Sequence, residues 1–137
     1  MMPTLIISFI VEAEEKIAGC LESIAEVRGD AKDELKKIAE ECRKDAKQLE
    51  RIFKETVVEL SLEPLEGFDV VSLRTEIEGL LNSKDKVSGL IEALSKLEKL
   101  YTSFSKSISS ISPETSMQLK KMLRKKEKNK KYLESLK

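Results

Sequence analysis

Residues 17–53 read IAGCLESIAEVRGDAKDELKKIAEECRKDAKQLERIF, and this stretch decides the fold. Up to Val27 the apolar residues Ile17, Cys20, Leu21, Ile24 and Val27 recur at the three- and four-residue steps of one helix face. From Leu35 the same steps return, through Ile38, Ala39, Cys42, Ala46, Leu49, Ile52 and Phe53. Only Arg28-Gly29-Asp30 lies between. Gly29 is expected to end the first helix in the left-handed conformation, and Asp30 to cap the second. Asp33 and Glu34 then sit where a helix start favours negative charge. Two helices joined by so short a break form an antiparallel hairpin.

Working outward, the first helix extends back through Ala13, Ile10, Phe9 and Ile6 to about Thr4, just after Pro3. The second continues to about Leu60, so the first hairpin covers 4–60. Pro64 and Gly67 break the pattern, and a short helix from Ser72 to about Leu81 lies inside a long crossover, 61–86. The crossover carries Leu62, Leu65, Phe68, Val70, Val71, Leu73, Ile77, Leu80 and Leu81, enough apolar surface to cap a bundle or to dock on a second subunit. A third long helix follows, Lys86 to Ile111, with the stripe Leu90, Leu94, Leu97, Tyr101, Phe104, Ile108 and Ile111. Ser112-Pro113-Glu114 restarts the chain, with Ser112 as N-cap and Pro113 at the first helical position. The fourth runs from Pro113 to about Ser135, with the stripe Leu119, Met122, Leu123, Lys126, Asn129, Leu133 and Leu136. The second hairpin therefore covers 87–136. The prediction is an all-α single domain over 1–137: an antiparallel four-helix bundle whose two hairpins are joined by a crossover containing a short helix.

Composition agrees. Charged residues make up 36% of the 137, above the usual quarter, as outward faces of long helices require and as a heat-adapted source would also show. Five Gly and three Pro leave few breaks for a sandwich or barrel. Net charge is zero, but residues 117–137 hold nine Lys or Arg against Glu127 and Glu134 alone, so this end is about +7 and the rest about −7. There is no histidine, which removes Ser-His and Cys-His nucleophilic systems, His-ligated haem or zinc, and the usual neutral-pH base. Cys20 and Cys42, both on apolar stripes, read as core thiols in a reducing compartment. The run Leu5–Val11 is too short to span a membrane and lacks the features of a signal peptide. A cytoplasmic protein without membrane contact is expected.

The hairpins also match one another. Leu35-Lys36-Lys37-Ile38 aligns with Leu119-Lys120-Lys121-Met122, and carrying that 84-residue offset through pairs Ile10 with Leu94, Ile17 with Tyr101, Cys20 with Phe104, Ile24 with Ile108, and Asp30 with Glu114. This arrangement, together with Ala39-Glu40-Glu41-Cys42-Arg43-Lys44-Asp45-Ala46-Lys47, resembles ferritin-like proteins of the rubrerythrin type. The resemblance implies a di-iron site built from a Glu on each of two helices and a Glu-x-x-His on each of the others. Here the Glu-x-x-His positions read Cys42-x-x-Asp45 and Lys126-x-x-Asn129. Glu12 and Glu98 stand near the level of the site but off the apolar stripes. The expectation is therefore a ferritin-like relative that has lost its metal ligands and holds no cofactor.

Lys126 falls on a core stripe, where a lysine is costly unless paired or able to reach water. It is expected either to lie against Asp45 or another carboxylate inside the bundle, or to snorkel outward. The cluster Glu12, Glu14 and Glu15 reads as a solvated stretch of the first helix. Lys120, Lys121, Arg124, Lys125, Lys128 and Lys131 could contact phosphates, although one nearby aromatic and a preponderance of Lys argue against base readout. No P-loop, dinucleotide fingerprint, Cys-x-x-Cys, EF-hand loop or nucleophile elbow is present. The functional expectation is a non-enzymatic scaffold, assembly subunit or partner-binding module that takes a protein partner or forms a homodimer. The alternatives are a carboxylate-only metal-binding oxidoreductase and a nucleic-acid-associated accessory protein acting through the basic last helix.

Overall fold

In a computed structural model, residues 1–60 and 64–137 are described, with side chains for 1–56 and 64–137. Among them the chain is all-helical, with α1 Pro3–Val27, a 3-10 turn Gly29–Ala31, α2 Lys32–Leu60, α3 Val70–Leu81, α4 Lys86–Ile108 and α5 Pro113–Ser135, and no strand. No helix among the described residues is long and apolar enough to cross a membrane. α1 packs chiefly against α2, and α4 against α5. The pairs meet through α2 with α5 and α1 with α4, while α3 lies on α4 and α1.

The predicted stripes form one core. Ile6, Phe9, Ile10, Ala13, Ile17, Cys20, Leu21 and Ile24 of α1 are buried with Leu35, Ile38, Ala39, Cys42, Ala46, Leu49 and Ile52 of α2. Leu90, Leu94, Leu97, Tyr101, Phe104 and Ile108 of α4 and Leu119, Met122, Lys126, Asn129 and Leu133 of α5 complete it. Val27 is a correction: the last residue of α1, it is 80% exposed, although Ile24 and Ala25 of the same turn are buried. The expected crossover surface also turns inward. Val70, Ile77 and Leu81 are buried, Leu65, Phe68, Leu73 and Leu80 pack on the core, and Phe68 meets Phe104 edge-on at 5.9 Å. Val71 stays exposed, and Leu62 lies outside the described residues, as does the side chain of Leu60.

The helix ends show what the sequence misplaced. α1 does not end on a left-handed Gly29; among the described residues only Gly67 has positive φ. Arg28 instead leaves the helical region (φ −120°, ψ 76°), and the chain tightens into the 3-10 turn. Asp30 does not cap through its side chain; its carboxylate pairs with Arg28 at 3.3 Å. α3 starts at Val70, two residues before Ser72, because Asp69 accepts from the Ser72 N–H at 3.1 Å. α4 ends at Ile108, three residues early, and Asp85 caps its start on the Ser88 N–H.

Ser112 caps α5 as expected and is 3% exposed. Its Oγ accepts from the Thr115 N–H at 3.3 Å and lies 2.7 Å from Thr115 Oγ1. Ser112→Ala removes this cap in a buried turn and is expected to cost about 1 kcal/mol, read as a lower denaturant midpoint with unchanged slope.

Candidate functional site

The centre of the core is polar. Lys126 is fully buried, as are Glu14 and Tyr101. Lys126 Nζ lies 2.7 Å from Glu14 Oε2, close but off the direction of a hydrogen bond, so the contact is an ion pair. Tyr101 donates to Glu14 Oε1 at 2.5 Å. Lys126 Nζ also reaches Cys42 Sγ at 3.5 Å. Each member is delivered by a different long helix: Glu14 by α1, Cys42 by α2, Tyr101 by α4 and Lys126 by α5.

Beside this group, Asp45 is 6% exposed and takes Lys125 at 3.0 Å through Oδ1, while its buried Oδ2 has no hydrogen-bond partner. Lys126 therefore does sit against a carboxylate inside the protein, and that carboxylate is Glu14 rather than Asp45. Glu14 corrects the reading of Glu12, Glu14 and Glu15 as solvated. Its neighbours Ile7, Ile10, Ile17, Ala18 and Leu21, at four and seven residues before and three, four and seven after, are all buried. That spacing was the available signal, and it outweighs residue type.

Glu12 stays at the surface edge, paired with Lys16 and with Arg74, each at 3.1 Å. The Arg74 guanidinium also stacks over Phe9 at 5.5 Å, which ties α3 to α1. Glu98 pairs with Lys130 at 3.0 Å and leaves its buried Oε1 without a hydrogen-bond partner. Asn129 is 7% exposed, one turn from Lys126. Of the basic positions, Lys125 is taken by Asp45, whereas Lys120, Lys121, Arg124, Lys128 and Lys131 are exposed.

The electrostatics follow from burial. Desolvation pushes the Cys42 thiol up to about 12, with the Lys126 ammonium only partly offsetting it, so the sulfur is a protonated core group and not a nucleophile. Desolvation also raises the Tyr101 hydroxyl well above its usual value, and the Glu14 charge adds to this. For Lys126 burial acts downward, but Glu14, Cys42 and Asp45 together outweigh it and hold the ammonium above the ordinary lysine range.

The chain matches no protein-family model, no curated protein and no solved structure.

The chemistry open to this arrangement is limited. Its one base-like group, Glu14, is held by an ammonium and a phenol in a site that water does not reach. Its thiol is neutral, and its cation is fixed. Among the described residues, no three of Cys, Asp and Glu are grouped as metal ligands would be.

Proposed function

We propose that the protein is a non-enzymatic helical scaffold or partner-binding module, a ferritin-like antiparallel four-helix bundle whose metal position is filled by its own lysine. One observation carries this reading: the buried Lys126 ammonium, 2.7 Å from Glu14, where side chains of four helices converge. Ferritin-like sites draw one Glu from each of two helices and a Glu-x-x-His from each of the other two. The 84-residue offset supports the correspondence, since it relates Glu14 to Glu98, Cys42 to Lys126 and Asp45 to Asn129. The pairing of α1 with α2 and α4 with α5, each across a short connection, supports the bundle layout.

Iron does not fit these residues. The ammonium would repel it, Lys126 and the protonated Cys42 stand where glutamates are needed and Asn129 where a histidine is, and Glu98 is engaged by Lys130. Dialysis of the purified protein against ferrous, manganous and zinc salts, followed by elemental analysis, is expected to leave substoichiometric metal and an unchanged melting temperature. One tightly held iron or manganese per chain would overturn the reading in favour of a carboxylate metal site.

A further inference from the structure

α5 sorts its cations by direction. Lys125, Lys126 and Lys130 turn toward the protein and are taken by Asp45, Glu14 and Glu98. Lys120, Lys121, Arg124, Lys128 and Lys131 are exposed, and none forms an ion pair among the described residues. At 3.6 residues per turn these five fall within an arc of about 100° and extend about 16 Å along the axis. Glu127 stands at the edge of that arc, toward α4. The chain is neutral overall, so enough acid exists to neutralise the strip internally. It is spent elsewhere.

We propose that this outward face of α5 binds the phosphate backbone of duplex nucleic acid without reading sequence. The inference deepens the partner-binding reading above by naming the partner, and rests on it. The strip's length matches about five phosphates of one duplex strand, which rise roughly 3.4 Å apart. Lysine serves phosphate contacts well and base readout poorly, which fits a sequence-independent surface. Single strands are disfavoured because they need stacking aromatics; Tyr132, the one aromatic of α5, packs on the core. A membrane is disfavoured because the apolar side of α5 is consumed by the core, and Met117 is its one exposed large hydrophobic residue.

The test is fluorescence anisotropy of a short labelled duplex of arbitrary sequence with the full chain, titrated in salt from about 50 to about 200 mM. The expected slope of log affinity against log salt is about −4.5, from −0.9 per phosphate over five contacts. Changing all five residues to Gln is expected to abolish binding. The same number of Gln substitutions on exposed lysines of α2 (Lys36, Lys37, Lys44, Lys47 and Lys54), where acids are interleaved, is expected to spare it. Arg124→Gln and Lys128→Gln alone are each expected to flatten the slope by about 0.9, which keeps the test valid should the fivefold variant lose helicity. Absence of binding at about 50 mM salt, equal loss in both multiple variants, or tighter binding to single strands or phosphatidylserine vesicles would overturn the proposal. Metal content of the same preparations reports separately on the lysine-filled centre, so the two readings fail independently.

Discussion

Lys126→Met is expected to destabilise the protein by about 3–5 kcal/mol, the usual cost of leaving one member of a buried pair alone. The variant strands Glu14, which is fully buried and then retains only the Tyr101 hydroxyl. The triple variant Glu14→Leu, Tyr101→Phe, Lys126→Met removes both charges and the phenol hydroxyl together and leaves the neutral Cys42 thiol. It is expected to return to within about 1 kcal/mol of the parent or above it, because a buried pair repays its desolvation only partly. Denaturant unfolding of the single and triple variants, with a double-mutant cycle on Glu14 and Lys126, measures the coupling directly. A single variant as stable as the parent would show that the ammonium is not held by the carboxylate.

The same group sets a pH dependence. Lys126 and Tyr101 are both raised in the folded state. Each therefore contributes stability that is fully present below its unfolded value, near 10, and is lost as pH climbs through the folded value. Stability from these groups is expected to be level through neutral pH and to fall in the alkaline range. The triple variant should show a smaller fall, keeping the share of the Cys42 thiol, which burial raises to about 12 and which acts in the same sense.

Gly89→Ala is expected to cost about 3 kcal/mol, at the upper end of overpacking. A Cβ at residue 89 would stand 2.1 Å from the Leu80 carbonyl oxygen and 2.4 Å from Ser83 Oγ. The Ser83 hydroxyl could rotate away, but the carbonyl cannot, because it belongs to α3 and accepts from the Ser83 N–H at 3.2 Å and Ser83 Oγ at 2.8 Å. The α3–α4 connection would have to shift as a unit. Gly79→Ala, with open space around its Cβ, is the matched control and is expected to be neutral or slightly stabilising on helix propensity. Equal midpoints for the two variants would show that the close approach does not constrain the fold.

Much of the architecture was legible because apolar spacing and capping residues agree with each other. Ser112-Pro113 placed the start of α5, and the stripe through Leu119, Met122, Lys126, Asn129 and Leu133 placed its buried face, the lysine included. Glu14 was not read correctly because a carboxylate between Ala13 and Glu15 looks solvated, although its helical neighbours at both three and four residues are core. Residue type competed with position, and the partner that settles the matter arrives from α5, more than a hundred residues away. Gly29 misleads for a local reason: the chain leaves α1 through a non-helical Arg28, which makes a left-handed glycine unnecessary. The start of α3 was misjudged because Asp69 and Ser72 are both competent caps, and only the Asp69 carboxylate is placed to receive the Ser72 N–H.

The contact between Cys42 and Lys126 joins two positions 84 residues apart, the offset at which the sequences of the two hairpins align. Were the two hairpins copies of one unit, matched positions that touch would lie on the dyad relating them. In a symmetric dimer of identical hairpins the dyad brings like to like, so such a centre would confront two ammoniums or two thiols. A cation facing a neutral thiol needs two different residues at one equivalent place. One chain carrying both hairpins supplies that inequality, and with it a centre that a self-associating single hairpin could not encode.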